Sequence, residues 1–179
     1  MIGTILRYGL IAGVIVAAPM LWQMLTWKQG SGNPLGGMLV GYLTMLIALT
    51  AVFLGIKHYR DKVLGGAIRF LPAFGLGLGI SVVACVLYVA AWEISMAYSD
   101  FDFMAWYSHY IIEAAKTQDA SPEAMAKAVA QAKEFEAAYA NPMMRIAYTF
   151  IEMFPVGVLV SLISALVLRK SRVLPAHAA

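Results

Sequence analysis

The sequence predicts an all-α membrane protein: a four-transmembrane-helix bundle with an extracytoplasmic helical hairpin between the third and fourth spans. Three observations predict it. The 179 residues are 61% hydrophobic and only 13% charged, too apolar for a soluble domain of that length. Four stretches, 6–25, 38–56, 70–94 and 148–168, each supply the roughly 20 apolar residues needed to cross about 30 Å of hydrocarbon. The basic residues gather on one side of these stretches. The chain divides accordingly into the first three spans (1–94), an extracytoplasmic helical subdomain (95–147), and the fourth span with a cytoplasmic tail (148–179).

The first span begins beside Arg7 and passes the small residues Val16, Ala17 and Ala18, so it has some features of a signal peptide. Its apolar run continues to Trp22 and Leu25, and Pro19 would follow the cut, which favours a retained anchor. Gly9, Gly13 and Ala17 mark one face. In the second span Gly37, Gly41, Thr44, Ala48, Ala51 and Gly55 recur at spacings of four and three. Lipid tails are as apolar as leucine, so helices associate where small residues let backbones approach. A stripe with a period of about 3.5 predicts a left-handed close crossing with the second helix at the centre of the bundle. Gly75 and Gly79 mark a face on the third span; Gly157, Ser161 and Ser164 mark one on the fourth. Pro19 and Pro155 each remove a backbone donor, and at Pro155 the carbonyl of Ile151 loses its partner beside Glu152.

Between the third and fourth spans, Ser121-Pro122-Glu123 reads as N-cap, first-turn proline and first-turn acid of a helix that runs to about Ala140 and stops at Asn141-Pro142. Met125, Val129, Ala132, Phe135 and Tyr139 form its apolar stripe. An aromatic-rich helix over about 102–118 precedes it, with a short turn at 117–120. The pair reads as a cap over the bundle, or as a lid or partner-binding surface.

Orientation follows from the basic residues. One side carries Arg7, Lys57, Arg60, Lys62, Arg69, Arg169, Lys170 and Arg172, with Asp61 its single acid. The other carries Lys28, Lys116, Lys127, Lys133 and Arg145 against Asp100, Asp102, Glu113, Asp119, Glu123, Glu134 and Glu136. Both termini are therefore expected in the cytoplasm. Lys57, Arg60, Lys62, Arg69, Arg169 and Lys170 are candidate contacts for anionic phospholipid headgroups, at about 1 kcal/mol each, and the basic face calls for no nucleic acid. Trp22, Trp27, Trp92, Tyr98, Phe101, Phe103, Trp106, Tyr107 and Tyr110 crowd the opposite boundary, as an aromatic belt does.

Glu93 and Glu152 are the acids within or at the edge of the spans, where burying a charge is costly and an ionisable residue is a functional candidate. Glu93 follows Gly79 by fourteen residues and so shares its helix face; Gln23 bears the same relation to Gly9. The candidate site is an outward-opening polar pocket of Gln23, Glu93, Glu152, Arg145 and His109, suited to a cation, a metal or a polar headgroup. The alternative is a structural ion pair in which Arg145 holds one carboxylate at the bundle mouth. Two carboxylates and an imidazole suit zinc, but no HExxH-like spacing is present, and no metal or cofactor is assigned. His58 lies in the basic loop and His177 in the tail. The lone cysteine, Cys85, excludes an intramolecular disulfide and reads as a packing residue. Gly75, Gly77 and Gly79 sit inside a span with no preceding strand, so they form no nucleotide loop.

Three stretches carry a family resemblance: Gly55-Ile56-Lys57-His58-Tyr59-Arg60-Asp61 followed by Gly65-Gly66; Leu87-Tyr88-Val89-Ala90-Ala91-Trp92-Glu93; and Phe150-Ile151-Glu152-Met153-Phe154-Pro155-Val156-Gly157. They resemble the bacterial membrane family catalogued as domain of unknown function 4199. That resemblance implies a four-span protein of the bacterial inner (cytoplasmic) membrane with no established activity. Its Trp-Glu and Glu-x-Phe-Pro positions coincide with Glu93 and Glu152. Three function classes follow. The first is a non-enzymatic binding or accessory protein of the cell envelope, acting as a homo-oligomer or with an envelope partner. The second is a small cation- or proton-coupled transporter acting as an oligomer. The third is a membrane enzyme with the two glutamates as acid and base, which lacks a recognisable nucleophile or metal cluster.

Overall fold

The computed structural model describes residues 1–26, 34–117, 121–170 and 174, with residues 34–38 described by backbone alone. It holds six α-helices and no strand among these residues. They are α1 (Ile2–Thr26), α2 (Pro34–His58), α3 (Phe70–Tyr98), α4 (Phe103–Thr117), α5 (Pro122–Tyr139) and α6 (Pro142–Leu168). A π-helical turn, Tyr59–Val63, extends α2, and Gly65 and Gly66 at φ 70° and 102° reverse the chain into α3. Four of the six helices are long and apolar enough to cross a membrane, and the chain is a multi-pass membrane protein. Leu10, Val14, Leu46, Ile47, Leu71, Val86, Leu159 and Ile163 point outward, as lipid-facing side chains do. Trp27, Lys28, the turn at 118–120 including Asp119, Arg172 and His177 lie outside the described residues, as do the surroundings of Gly37.

α3, not α2, is the central helix: it packs against α1 on one side and α6 on the other, and touches α2 less. The small residues explain this. A Cβ on Gly77 would meet Ser161 Cβ at 2.9 Å, and one on Gly157 would meet Ser81 Cβ at 2.8 Å. Each helix thus offers a glycine where its antiparallel neighbour offers a serine. The Ser81 hydroxyl lies 3.3 Å from the Ser161 hydroxyl and bonds the Gly77 carbonyl at 3.0 Å. Gly9 and Gly13 of α1 lie against Val83 and Leu87 of α3. On α2 the stripe is used at one end only. Ala48, Ala51 and Gly55 are buried, whereas Gly41 is exposed, and a Cβ there would meet nothing within 4 Å. The same is true of Gly75 on α3. A period in one sequence shows where a close approach is permitted; the complementary surface decides whether it happens.

The molecule therefore has two unlike ends. The terminal end holds the start of α1, the α2–α3 turn and the close of α6. There Tyr8 packs on His58 and against Gly55, and Ile56, Leu76, Ile80 and Leu168 are fully buried. The capped end holds the close of α1 and α3 and the start of α2 and α6, with α4 and α5 against it. Ser121 caps α5 by accepting from the Ala124 amide at 3.2 Å. Asn141 ends α5 but also caps α6, accepting from the Met143 amide at 2.9 Å with Pro142 in the first turn. The fourth span thus begins six residues earlier than its apolar run, 142 against 148. The α5 stripe faces the protein: Phe103 meets Tyr139 and Tyr107 meets Phe135, so α4 and α5 run antiparallel, and both Phe135 and Tyr139 pack on Tyr148 of α6. Trp92 and Phe101, expected in a belt, are instead buried with Met24 and Tyr139 in the core under the cap; Trp22 and Tyr98 are fully outward.

Candidate functional site

The expected five-residue polar pocket separates into three places. Glu93 of α3 and Arg145 of α6 form a two-pronged ion pair: Nε donates to Oε1 at 2.7 Å and Nη2 to Oε2 at 2.5 Å. Arg145 Nη1 also donates to the Tyr139 carbonyl at 3.4 Å, at the close of α5. The pair joins α3, α5 and α6, the arrangement of the structural alternative. His109 stands apart, its side chain 77% exposed on α4, 4.0 Å from Glu113. Glu113 is itself held 2.7 Å from Lys116, whose hydrogen bond and charge draw its carboxyl below the usual range. Among the described residues no three His, Cys, Asp or Glu side chains come together.

Gln23 and Glu152 are brought together in the lining of a cavity of about 370 Å³. It lies between α1, α2, α3 and α6 under the cap, in the half of the bundle where α2 stands away from its neighbours. Its wall corrects the expectation of a polar pocket. Aromatic and methionine side chains make most of it: Tyr42 and Met45 from α2, Tyr88 and Trp92 from α3, Trp106 and Tyr107 from α4, Phe135 and Tyr139 from α5. Glu152 lines this space among these rings and is exposed by area. The Tyr88 hydroxyl donates to its Oε2 at 3.4 Å. Among the described residues the lining holds no lysine, arginine or histidine, and Arg145 is engaged by Glu93.

The rim under the cap is also ordered by hydrogen bonds. The Ser99 hydroxyl donates to the Met24 carbonyl at 2.6 Å and accepts from the Phe101 amide at 3.0 Å, tying the close of α1 to the entry of α4. Asp102 then caps α4 through the Ala105 amide at 2.9 Å. Tyr139 is buried beside Thr149 and Trp92, and burial pushes its hydroxyl up to about 12. The Trp92 indole nitrogen is buried and makes no hydrogen bond of ordinary geometry, although the Tyr139 hydroxyl is its polar neighbour.

Tyr88 was not singled out from the sequence. The signal lay in spacing: Ser81, Tyr88, Trp92 and Ser95 recur at seven, four and three, one face of α3, and Ser81 shows that this face meets α6. Glu93 is one residue round from that face.

At the terminal end, the expected headgroup contacts divide. Lys62, Arg69, Arg169 and Lys170 are exposed, and Lys57 is half-buried and bonds Asp61 at 2.7 Å. Arg60 does not fit a headgroup role, because its side chain is fully buried. Its Nε donates to Asp61 Oδ1 at 2.6 Å, its Nη1 to the Leu168 carbonyl at 3.4 Å and its Nη2 to the Leu174 carbonyl at 2.5 Å. Its charge is used to satisfy the last carbonyls of α6 and the tail that follows.

The fold and its cavity define a class: a four-span helical membrane protein, capped at one end by two further helices over an aromatic chamber with one carboxylate. The chain belongs to the family described as protein of unknown function (DUF4199), whose profile matches residues 7–170 and so takes in all but the first few residues of the six helices and the whole cavity. No curated protein matches the chain, and no solved structure does.

Proposed function

We propose that the protein is a non-enzymatic, membrane-embedded binding protein that takes a small molecule into the cavity under the cap, with Glu152 and Gln23 as its polar contacts. One observation carries the reading: a chamber of about 370 Å³ among aromatic side chains, with a carboxylate in its wall. Cavities of roughly 300–1,000 Å³ that are mostly apolar with a few polar groups are the usual form of ligand sites, and a void of this size in a packed bundle is otherwise a loss of contact energy. Glu93 and Arg145 serve it indirectly, by fixing α3, α5 and α6 around it. The distribution of basic residues supports the capped end as the outer face, with both termini in the cytoplasm. The family resemblance of the three stretches quoted above favours the inner membrane of a bacterium, where an envelope partner or a second copy would meet the α4–α5 surface.

The test is native mass spectrometry of gently extracted protein, with wild type beside Glu152→Gln and Glu93→Gln. The expected result is a bound mass that is lost in Glu152→Gln and kept in Glu93→Gln. A bound mass indifferent to Glu152, in protein of unchanged melting temperature, removes the cavity as the binding site.

A further inference from the structure

Resting on the cavity being a ligand site, we infer that its ligand is a small organic cation: an ammonium group seated between Glu152 and the surrounding aromatic rings, with its apolar part against Met20, Met24 and Met45. The lining residues decide the class. One carboxylate faces the space, and among the described residues no basic side chain lines it. The nearest arginine is held in two hydrogen bonds by Glu93. Glu152 forms no ion pair among the described residues, and the Tyr88 hydroxyl, at 3.4 Å, is a long hydrogen bond that leaves most of its acceptor capacity open. A carboxylate in apolar surroundings is costly as an anion and is relieved either by a proton or by a counter-charge. A ligand cation supplies that charge.

The aromatic rings point the same way. Tyr42 and Tyr139 lie within electrostatic reach of Tyr88, and Glu152 within reach of Tyr88 and Tyr139. Aromatic rings carry negative potential on their faces and hold ammonium groups, most strongly where water is excluded. An anionic headgroup would meet Glu152 with nothing to neutralise it. A metal ion would meet one carboxylate, since among the described residues no three His, Cys, Asp or Glu side chains come together. The chamber is also far too large for one ion: at about 30 Å³ per water its volume matches roughly a dozen waters. Three methionines give it a soft, adaptable wall, suited to an alkyl or aryl group more than to one rigid shape.

Trp92 and Trp106 line the cavity and supply the readout. The experiment titrates full-length protein in nanodiscs with benzyltrimethylammonium and, separately, with its neutral isostere neopentylbenzene, following tryptophan fluorescence. The expected result is saturable binding of the cation, roughly tenfold or more tighter than that of the isostere. Glu152→Gln should weaken the cation by a similar factor and leave the isostere unchanged, while Glu152→Asp keeps the preference for the cation. Gly41→Leu, at a lining position where a Cβ meets nothing, should fill the chamber and weaken both probes. If both probes bind alike, in wild type and Glu152→Gln, yet Gly41→Leu weakens them, the cation inference falls and the cavity reading stands. If neither probe binds saturably, or Gly41→Leu changes nothing, the cavity reading falls with it.

Discussion

The two ends of this bundle are built from the same residue types and reach opposite results. At the terminal end, the glycines that face another helix are met by a serine or a larger side chain, while Gly75 points outward. Gly77 receives Ser161, Gly157 receives Ser81, and Gly55 receives Ile80 and Tyr8. At the capped end Gly41 receives nothing, and α2 stands off enough to leave a chamber. Charge shows the same contrast. Arg60 is fully buried against Asp61 and the carbonyls of Leu168 and Leu174. Glu152 faces a void with a distant tyrosine hydroxyl. What differs is complementarity: one end is completed by the chain itself, whereas the other presents apolar rings and a carboxylate to a space the chain leaves empty. In a membrane, where apolar burial supplies little drive between helices, stability concentrates where packing and hydrogen bonds close.

The contrast is broken most severely at Arg60. Arg60→Ala leaves Asp61 with Lys57 as its remaining cationic partner but removes the donors for two carbonyls, and should destabilise the protein by about 2–4 kcal/mol, seen as a large fall in melting temperature. Gly77→Leu comes next: its side chain has to displace Ser161 at the α3–α6 crossing, for about 1–3 kcal/mol, with Gly157→Leu behaving alike. Arg145→Met leaves Glu93 without its partner, but both side chains are partly open to solvent, at 16% and 27% exposure, so about 1 kcal/mol is expected from thermal unfolding. A smaller effect should appear with pH. Burial raises Tyr139 from 10.0 to about 12, so folding favours its neutral form. That contribution is complete below about pH 10 and is lost as pH rises through 12, which a series of melts in alkaline buffers would register and Tyr139→Phe would flatten. The smallest effect is at Gly41: Gly41→Leu should leave the melting temperature unchanged or raise it slightly, because leucine favours a helix over glycine by up to about 1 kcal/mol and its Cβ clashes with nothing. Equal costs at Gly41 and Gly77 would erase the distinction between the ends.

The sequence made the elements legible because length and apolar content act locally. All four spans lie where the apolar runs lie, and Ser121-Pro122 begins α5 as its cap chemistry requires. Asn141-Pro142 was readable as a stop and equally readable as a start, and it is both. Packing partners were not legible, because they depend on two surfaces at once. The six small residues of α2 look like the best interface in the chain, but among the described ones Gly41 has no matching face and Thr44 is half-buried. Ser81, which anchors the central helix, carried no mark until α6 was placed beside it. For the site, Glu152 and Gln23 were found because charged and amide groups are rare in spans. Glu93 and Arg145, fifty-two positions apart, were named together but not distinguished from the cavity. Arg60 could not be told from its exposed neighbours Lys62 and Arg69, because nothing in residue type records that an arginine will be buried.

The arginine at the terminal end also has a history in time. Two of its acceptors, the Leu168 and Leu174 carbonyls, lie 108 and 114 positions later in the chain. While the first three spans exist alone, the Leu168 and Leu174 carbonyls are not yet there to accept from Arg60, and Asp61 is its neighbouring charge. Arg60 donates to them only after the last span has been inserted and its end has arrived. The contact that seals this end of the bundle therefore forms only after α6 is in place, late in the building of the fold.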